Sequence, residues 1–152
     1  MTRLQDPNEA MVVVINDDAT LATTVRAAGD FDNSAANQNR IWCVPYLTVQ
    51  FDSGPPSAGA SIADLYVIPG SAEATELYPE GGDAGLGTDD NPQPEFYVGT
   101  FKTVNPSLTV DEVLALPALP LYPSGNRFVL TNTSGQTFDS TWQLEIMRWA
   151  LE

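Results

Sequence analysis

The chain has 152 residues, of which 43% are hydrophobic and 17% charged, with twenty acids against six Lys and Arg, no histidine and one cysteine. That length suits one domain with a real core, and the missing residue types exclude Ser-His-Asp and Cys-His catalysis, His general bases, His or Cys zinc sites and an intrachain disulfide. The net charge of −14 opposes phosphate backbones and anionic lipid, so neither nucleic acid nor membrane is an expected partner.

Met1–Glu9 is polar and reads as a frayed arm. Residues 10–152 read as a single β-sandwich domain. Met11–Ile15 is a β-prone run, too short for the apolar region of a secretory signal or for a bilayer span. Asn16-Asp17-Asp18 signals a turn, and Thr20–Arg26 alternates with Leu21, Thr23 and Val25 on one side. Gly29–Ser34 reads as loop.

Arg40–Phe51 is the clearest strand. Its early part is apolar on both parities, which predicts partial cover on both faces. Pro45 removes a ladder donor and predicts an edge, a bulge or a bend. Ser61–Ile68 is the next strand, closed by Pro69-Gly70. Ser71–Pro94 is a long acidic stretch rich in Gly and Pro, without helical or β period. Neither Lys nor Arg occurs from Ile41 to Phe101, while nine acids do. Glu95–Lys102 resumes strand character. Thr109-Val-Asp-Glu112 fits a capping box opening a short helix to Ala115, and fits an extended strand equally.

The closing stretch reads as a proline-rich lead-in, Leu119–Pro123, then strands Arg127–Thr131 and Thr141–Trp149. The polar turn Asn132–Gln136 between them predicts a β-hairpin. Phe128 and Leu130, then Trp142, Leu144 and Ile146, supply its core faces. Trp149 has the parity of Gln143 and Glu145, so it is expected to face away from the core. Seven to eight short antiparallel strands with turns between them give an all-β sandwich carrying a long acidic loop.

Motifs for chemistry are sparse. The chain has no P-loop and no dinucleotide fingerprint, and the glycines of Gly81–Gly87 lie among acids. Asp30-Phe-Asp-Asn33 and Asp89-Asp90-Asn91 offer oxygen ligands but lack the EF-hand pattern, and turn formation explains both. Asn132-Thr-Ser134 matches a glycosylation triplet and is read as turn. Cys43, inside Ile41–Val44, is expected to be a buried inert thiol. No catalytic residue, cofactor or metal is expected. The aromatic residues suit core and subunit contacts more than sugar stacking. The candidate partner-contact residues are Trp149, Met147, Leu119, Leu121 and Tyr122.

Leu119–Pro123, Asn126–Leu130, Asn132, Ser134–Gln136 and Ser140–Leu144 resemble the closing segments of small virion proteins of tailed bacteriophages. Asp64–Pro69 and Tyr97–Phe101 are similar to the same group, which includes capsid decoration or cement proteins with a β-sandwich fold. The resemblance covers about half of the chain and implies no catalytic residues. It implies a jelly-roll-like sandwich, the eight-strand solution common in virion proteins. It also implies a structural protein made in the host cytoplasm and carried on the virion exterior. Its partners would be the major capsid protein or other virion proteins, and it would form a homo-oligomer, with a trimer as one natural form. Two other readings stand beside it: a neck, collar or tail component, and a carbohydrate-binding or adhesin module.

Overall fold

The computed structural model describes residues 11–16, 18–33, 40–70, 96–123 and 125–149. The arm Met1–Glu9 and the acidic stretch Ser71–Pro94 lie outside them. The described strands are β1 (Val12–Ile15), β2 (Arg26–Asp32), β3 (Trp42–Val49), β4 (Ser61–Gly70), β5 (Tyr97–Lys102), β6 (Glu112–Ala115), β7 (Leu119–Pro120), β8 (Gly125–Asn132) and β9 (Gln143–Trp149). All pair antiparallel, in two sheets. The first sheet runs β1-β9-β3-β6, with β7 also pairing β3; the second runs β2-β8-β4-β5. The chain is thus all-β and sandwich-like.

The inward faces of both sheets meet in one core. From the first sheet come Leu47, Val49, Leu144 and Ile146; from the second, Leu65, Val67, Phe128 and Leu130. Each such side chain contributes about 1.5–3 kcal/mol by leaving water. At one end, Phe138 packs edge-on to Phe51 (centroids 5.6 Å apart) and against Trp142 (6.4 Å). The Trp142 indole N–H donates to the Ala19 carbonyl at 2.8 Å, so its polar group is satisfied inside.

The expected closing hairpin does not form. β8 pairs with β2 and β4 in the second sheet, whereas β9 pairs with β1 and β3 in the first. The alternation of Phe128, Leu130, Trp142, Leu144 and Ile146 places all five in the core as expected, yet they approach it from opposite sides. The link between them is a crossing rather than a tight turn. Asn132, fully buried, donates through its amide to the carbonyls of Leu21 (2.8 Å) and Gln136 (2.7 Å) and accepts the Ser134 N–H (2.9 Å). Gly135 takes φ +76°, which glycine adopts without a Cβ penalty. The chain then bridges Phe138 to both Leu21 and Phe51 before entering β9.

Three local expectations also change. Thr20–Val25 is mostly irregular, with a turn at Thr23–Thr24 where Thr24 sits at φ +66° and an isolated bridge at Leu21, and Arg26 opens β2. Gly29–Asp32, expected as loop, instead lies inside β2. The reason is tertiary. A Cβ on Gly29 would lie 1.7 Å from the Val14 carbonyl oxygen, so glycine is what lets β1 and β2 touch where the two sheets meet. Thr109–Ala115 takes the extended alternative as β6. The Glu112 carboxylate does not cap a helix; it accepts the N–H groups of Val104 (2.6 Å) and Asn105 (2.7 Å) and folds the loop before the strand.

Pro45 lies in a strand paired on both sides, between β9 and β6/β7. Its carbonyl accepts the Leu116 N–H at 3.1 Å, on the side where its own missing N–H would point. There the neighbouring strand is broken into β6, opposite Tyr46–Val49, and β7, opposite Trp42 and Cys43. The proline costs no ladder bond because the partner is interrupted beside it.

Candidate interaction surface

In the first sheet, odd–even alternation assigns the outward positions by register. Trp42 of β3 sits opposite Trp149 of β9, and Val44 opposite Met147. Tyr46 sits opposite Glu145, and Thr48 opposite Gln143. On the flanks, Val13 of β1 faces Glu145, while Val113 and Ala115 of β6 face Thr48 and Tyr46. Pro120 of β7 faces Trp42. This surface stays accessible: Trp42 is 42% exposed, Val13 45% and Val113 61%. Val44, Tyr46, Met147 and Trp149 are half-buried. Among the described outward positions of this sheet, Glu145 is the single carboxylate, bonded by Gln143 at 2.9 Å, and Lys and Arg are absent.

The outward face of the second sheet is built differently. Arg127, nearly buried, makes a two-pronged ion pair with Asp30 directly across from it (2.8 and 3.0 Å). Thr100 donates to Asp64 across β5 and β4, and its hydroxyl shares a 2.6 Å hydrogen bond with that of Tyr97. Tyr97 stands edge-on to Tyr66, with ring centroids 5.7 Å apart. Burial, then the charges of Asp64 and Tyr97, push the Tyr66 hydroxyl pKa above its usual value, while Arg26 pulls the other way. On the same face Ile68 and Val129 are fully buried in a small cluster with Ala28, Tyr66 and Phe96.

The residues singled out from the sequence divide between core and surface. Trp149 and Met147 share the outward face of the first sheet. Leu119 and Leu121 point inward and belong to the core, each 7% exposed, so the lead-in contributes packing there rather than contact surface. Tyr122 is exposed, and its backbone is held by the Asn126 side chain (2.8 and 3.0 Å) and by Asn33 (2.9 Å). Asp30 and Asn33 are committed to protein partners: Asp30 to Arg127, and Asn33 to the backbone of Arg40 and Tyr122. Asp89–Asn91 lie outside the described residues. Among the described residues, no group of three His, Cys, Asp or Glu is placed to hold a metal ion. The Asn132 amide is buried and doubly engaged, so this fold has no room for a glycan on it. Cys43 is fully buried, and burial pushes its thiol up to about 12, which keeps it protonated and inert.

Sequence reasoning passed over Trp42, Val44 and Tyr46 as surface residues. Their signal was present: β3 is apolar on both parities, and only one parity can face the core of a two-layer sandwich.

No protein-family model matches the chain, and no curated protein is similar enough to count as a relative.

Proposed function

We propose that this chain is a non-enzymatic structural protein of a bacteriophage virion, acting as a decoration or cement protein on the outer surface of the head. The observation that carries the reading is strand order. With β6 and β7 taken as one strand interrupted at Pro45, eight strands form two four-stranded sheets, ordered 1-9-3-6/7 and 2-8-4-5. Each sheet interleaves early and late strands in the manner of a double Greek key, the jelly-roll arrangement used by viral capsid and lectin domains. Fold alone does not give function. The step to the particle is supported by the resemblance of the closing and middle segments to tailed-phage virion proteins. The excess of acid suits a basic docking patch on the major capsid protein.

Purified virions from the source of this chain, examined by mass spectrometry, should contain it in many copies. Purified chain added to stripped particles should co-sediment with them, and less so as salt is raised. Absence from the virion together with no co-sedimentation at low salt would sink the reading.

One observation favours a lectin-type reading as the second choice. Tyr97 is 46% exposed beside the Thr100–Asp64 hydrogen bond, so an aromatic ring and a carboxylate lie together on the second sheet. Glycan-array binding that disappears in Tyr97→Ala would replace the virion proposal with this one.

A further inference from the structure

We infer that the outward face of the first sheet is a self-association surface, and that its occupant is a second copy of this chain. This goes beyond the virion reading, does not depend on it, and is tested without particles. Three observations carry it.

The first is chemical. Cross-strand pairs Trp42–Trp149 and Val44–Met147 lie side by side at one end of the face, and Val13 (beside Glu145) and Val113 (beside Thr48) continue its apolar character along the flanking strands. Solvent-facing positions of a sheet are ordinarily polar. Outward-facing aromatic and Met side chains, exposed at Trp42 and half-buried at Tyr46, Met147 and Trp149, gathered on one face with charge depleted, are the composition of an interface centre.

The second is electrostatic, and it selects the occupant. The chain carries −14 overall, yet the described outward positions of this sheet hold one carboxylate and neither Lys nor Arg. A basic partner would be drawn to the acidic parts of the molecule and would gain little here. Two copies of an acidic chain repel one another least where they meet through their neutral surface. The face suits a like-charged twin, and the acidic surface suits the basic partner.

The third is size. Four strands of up to eight residues make a face of about 20 Å by 25 Å. Two such faces together remove on the order of 1,000 Å² from water, the lower bound for a specific interface. The contact is therefore of modest strength and dependent on concentration. It is isologous: the same rows meet across a two-fold axis.

The salt dependence has a distinctive sign. Between two acidic copies, screening removes repulsion, so raising salt strengthens association. Docking on a basic partner weakens under the same change.

The test is sedimentation velocity of the full chain over a wide range of concentration, at low and high NaCl, with tryptophan fluorescence monitored on dilution. Wild type should associate, several-fold more tightly at high salt, with emission shifting as Trp42 and Trp149 become exposed on dilution. Val113→Lys and Met147→Lys should each weaken association about tenfold or more. Added lysine lowers the net negative charge, so charge alone would favour association, and a loss reports on the face. Val113 lies at an exposed edge position, so Val113→Lys keeps the fold if Met147→Lys perturbs it; the melting curve of each variant checks this. A monomer at every concentration and salt, an oligomer indifferent to both substitutions, or association that falls with salt would each overturn the inference.

Discussion

On the outward side of the second sheet, Ile68 and Val129 are fully buried, packed with Ala28, Tyr66 and Phe96, and the same face carries the polar pairs Arg127–Asp30 and Thr100–Asp64. On the outward side of the first sheet, no ion pair between described residues accompanies Trp42, Val44, Met147 and Val113, and two of the four are exposed. Both faces break the usual alternation of apolar inside and polar outside. The second sheet commits its outward apolar residues to its own stability, while the first leaves them available. An apolar outward residue is therefore informative only together with its neighbours on the rung.

This contrast can be broken at four places, in decreasing order of effect. Gly29→Ala attacks the joint between the sheets, where a Cβ would meet the Val14 carbonyl oxygen at 1.7 Å. It should lower stability by about 3 kcal/mol, and urea unfolding measures it. A wild-type curve would mean that β1 and β2 can move apart freely. Asp30→Ala should cost about 2 kcal/mol, because it removes the two-pronged carboxylate partner of the nearly buried Arg127 guanidinium. That figure is discounted because Asp30 itself is 43% exposed. A loss below half that size would show that the ion pair adds little to the second sheet. Tyr97→Phe removes one hydroxyl from the Tyr97–Thr100–Asp64 chain and should cost about 0.5–1 kcal/mol in thermal unfolding. Met147→Lys should change monomer stability by no more than about 0.5 kcal/mol, since its site is on the open face. A large loss there would mean that the first sheet uses its outward residues as the second does.

What was legible in the sequence was whatever depends on local alternation. β1, β3, β4 and β5 stand close to their expected places, and the five core residues of the closing segments are buried. Parity alone also put Trp149 on the outward row. Partners in space were not legible. Arg127–Thr131 and Thr141–Trp149 alternate as hairpin strands do and have a polar turn between them, yet the turn residue Asn132 directs its amide to Leu21, far away in the chain. β2 was hidden because Gly29-Asp-Phe-Asp reads as turn by composition, while its extended form is imposed by the Val14 backbone and the Arg127–Asp30 pair. Glu112 fitted a helix cap because a carboxylate that seeks backbone N–H groups looks the same whether those groups open a helix or fold a loop. Of the contact face, one side of the Trp42–Trp149 pair was found and the other missed, since pairing between β3 and β9 is a long-range fact.

The placement of β8 and β9 has a consequence for how the chain comes to fold. Each is the inner strand that joins an early strand to the rest of its sheet: β8 stands between β2 and β4, and β9 between β1 and β3. Among the described strands, a nascent chain that has reached residue 124 can pair only β4 with β5 and β3 with β6/β7, and β1 and β2 lack their sheet partners. Two-stranded ribbons are marginal in water. Neither half of the domain can be finished ahead of the other, and synthesis must run through Trp149 before a stable nucleus is available. Folding is then late, cooperative and slow for the chain's size, because nearly every stabilising pairing closes a long loop.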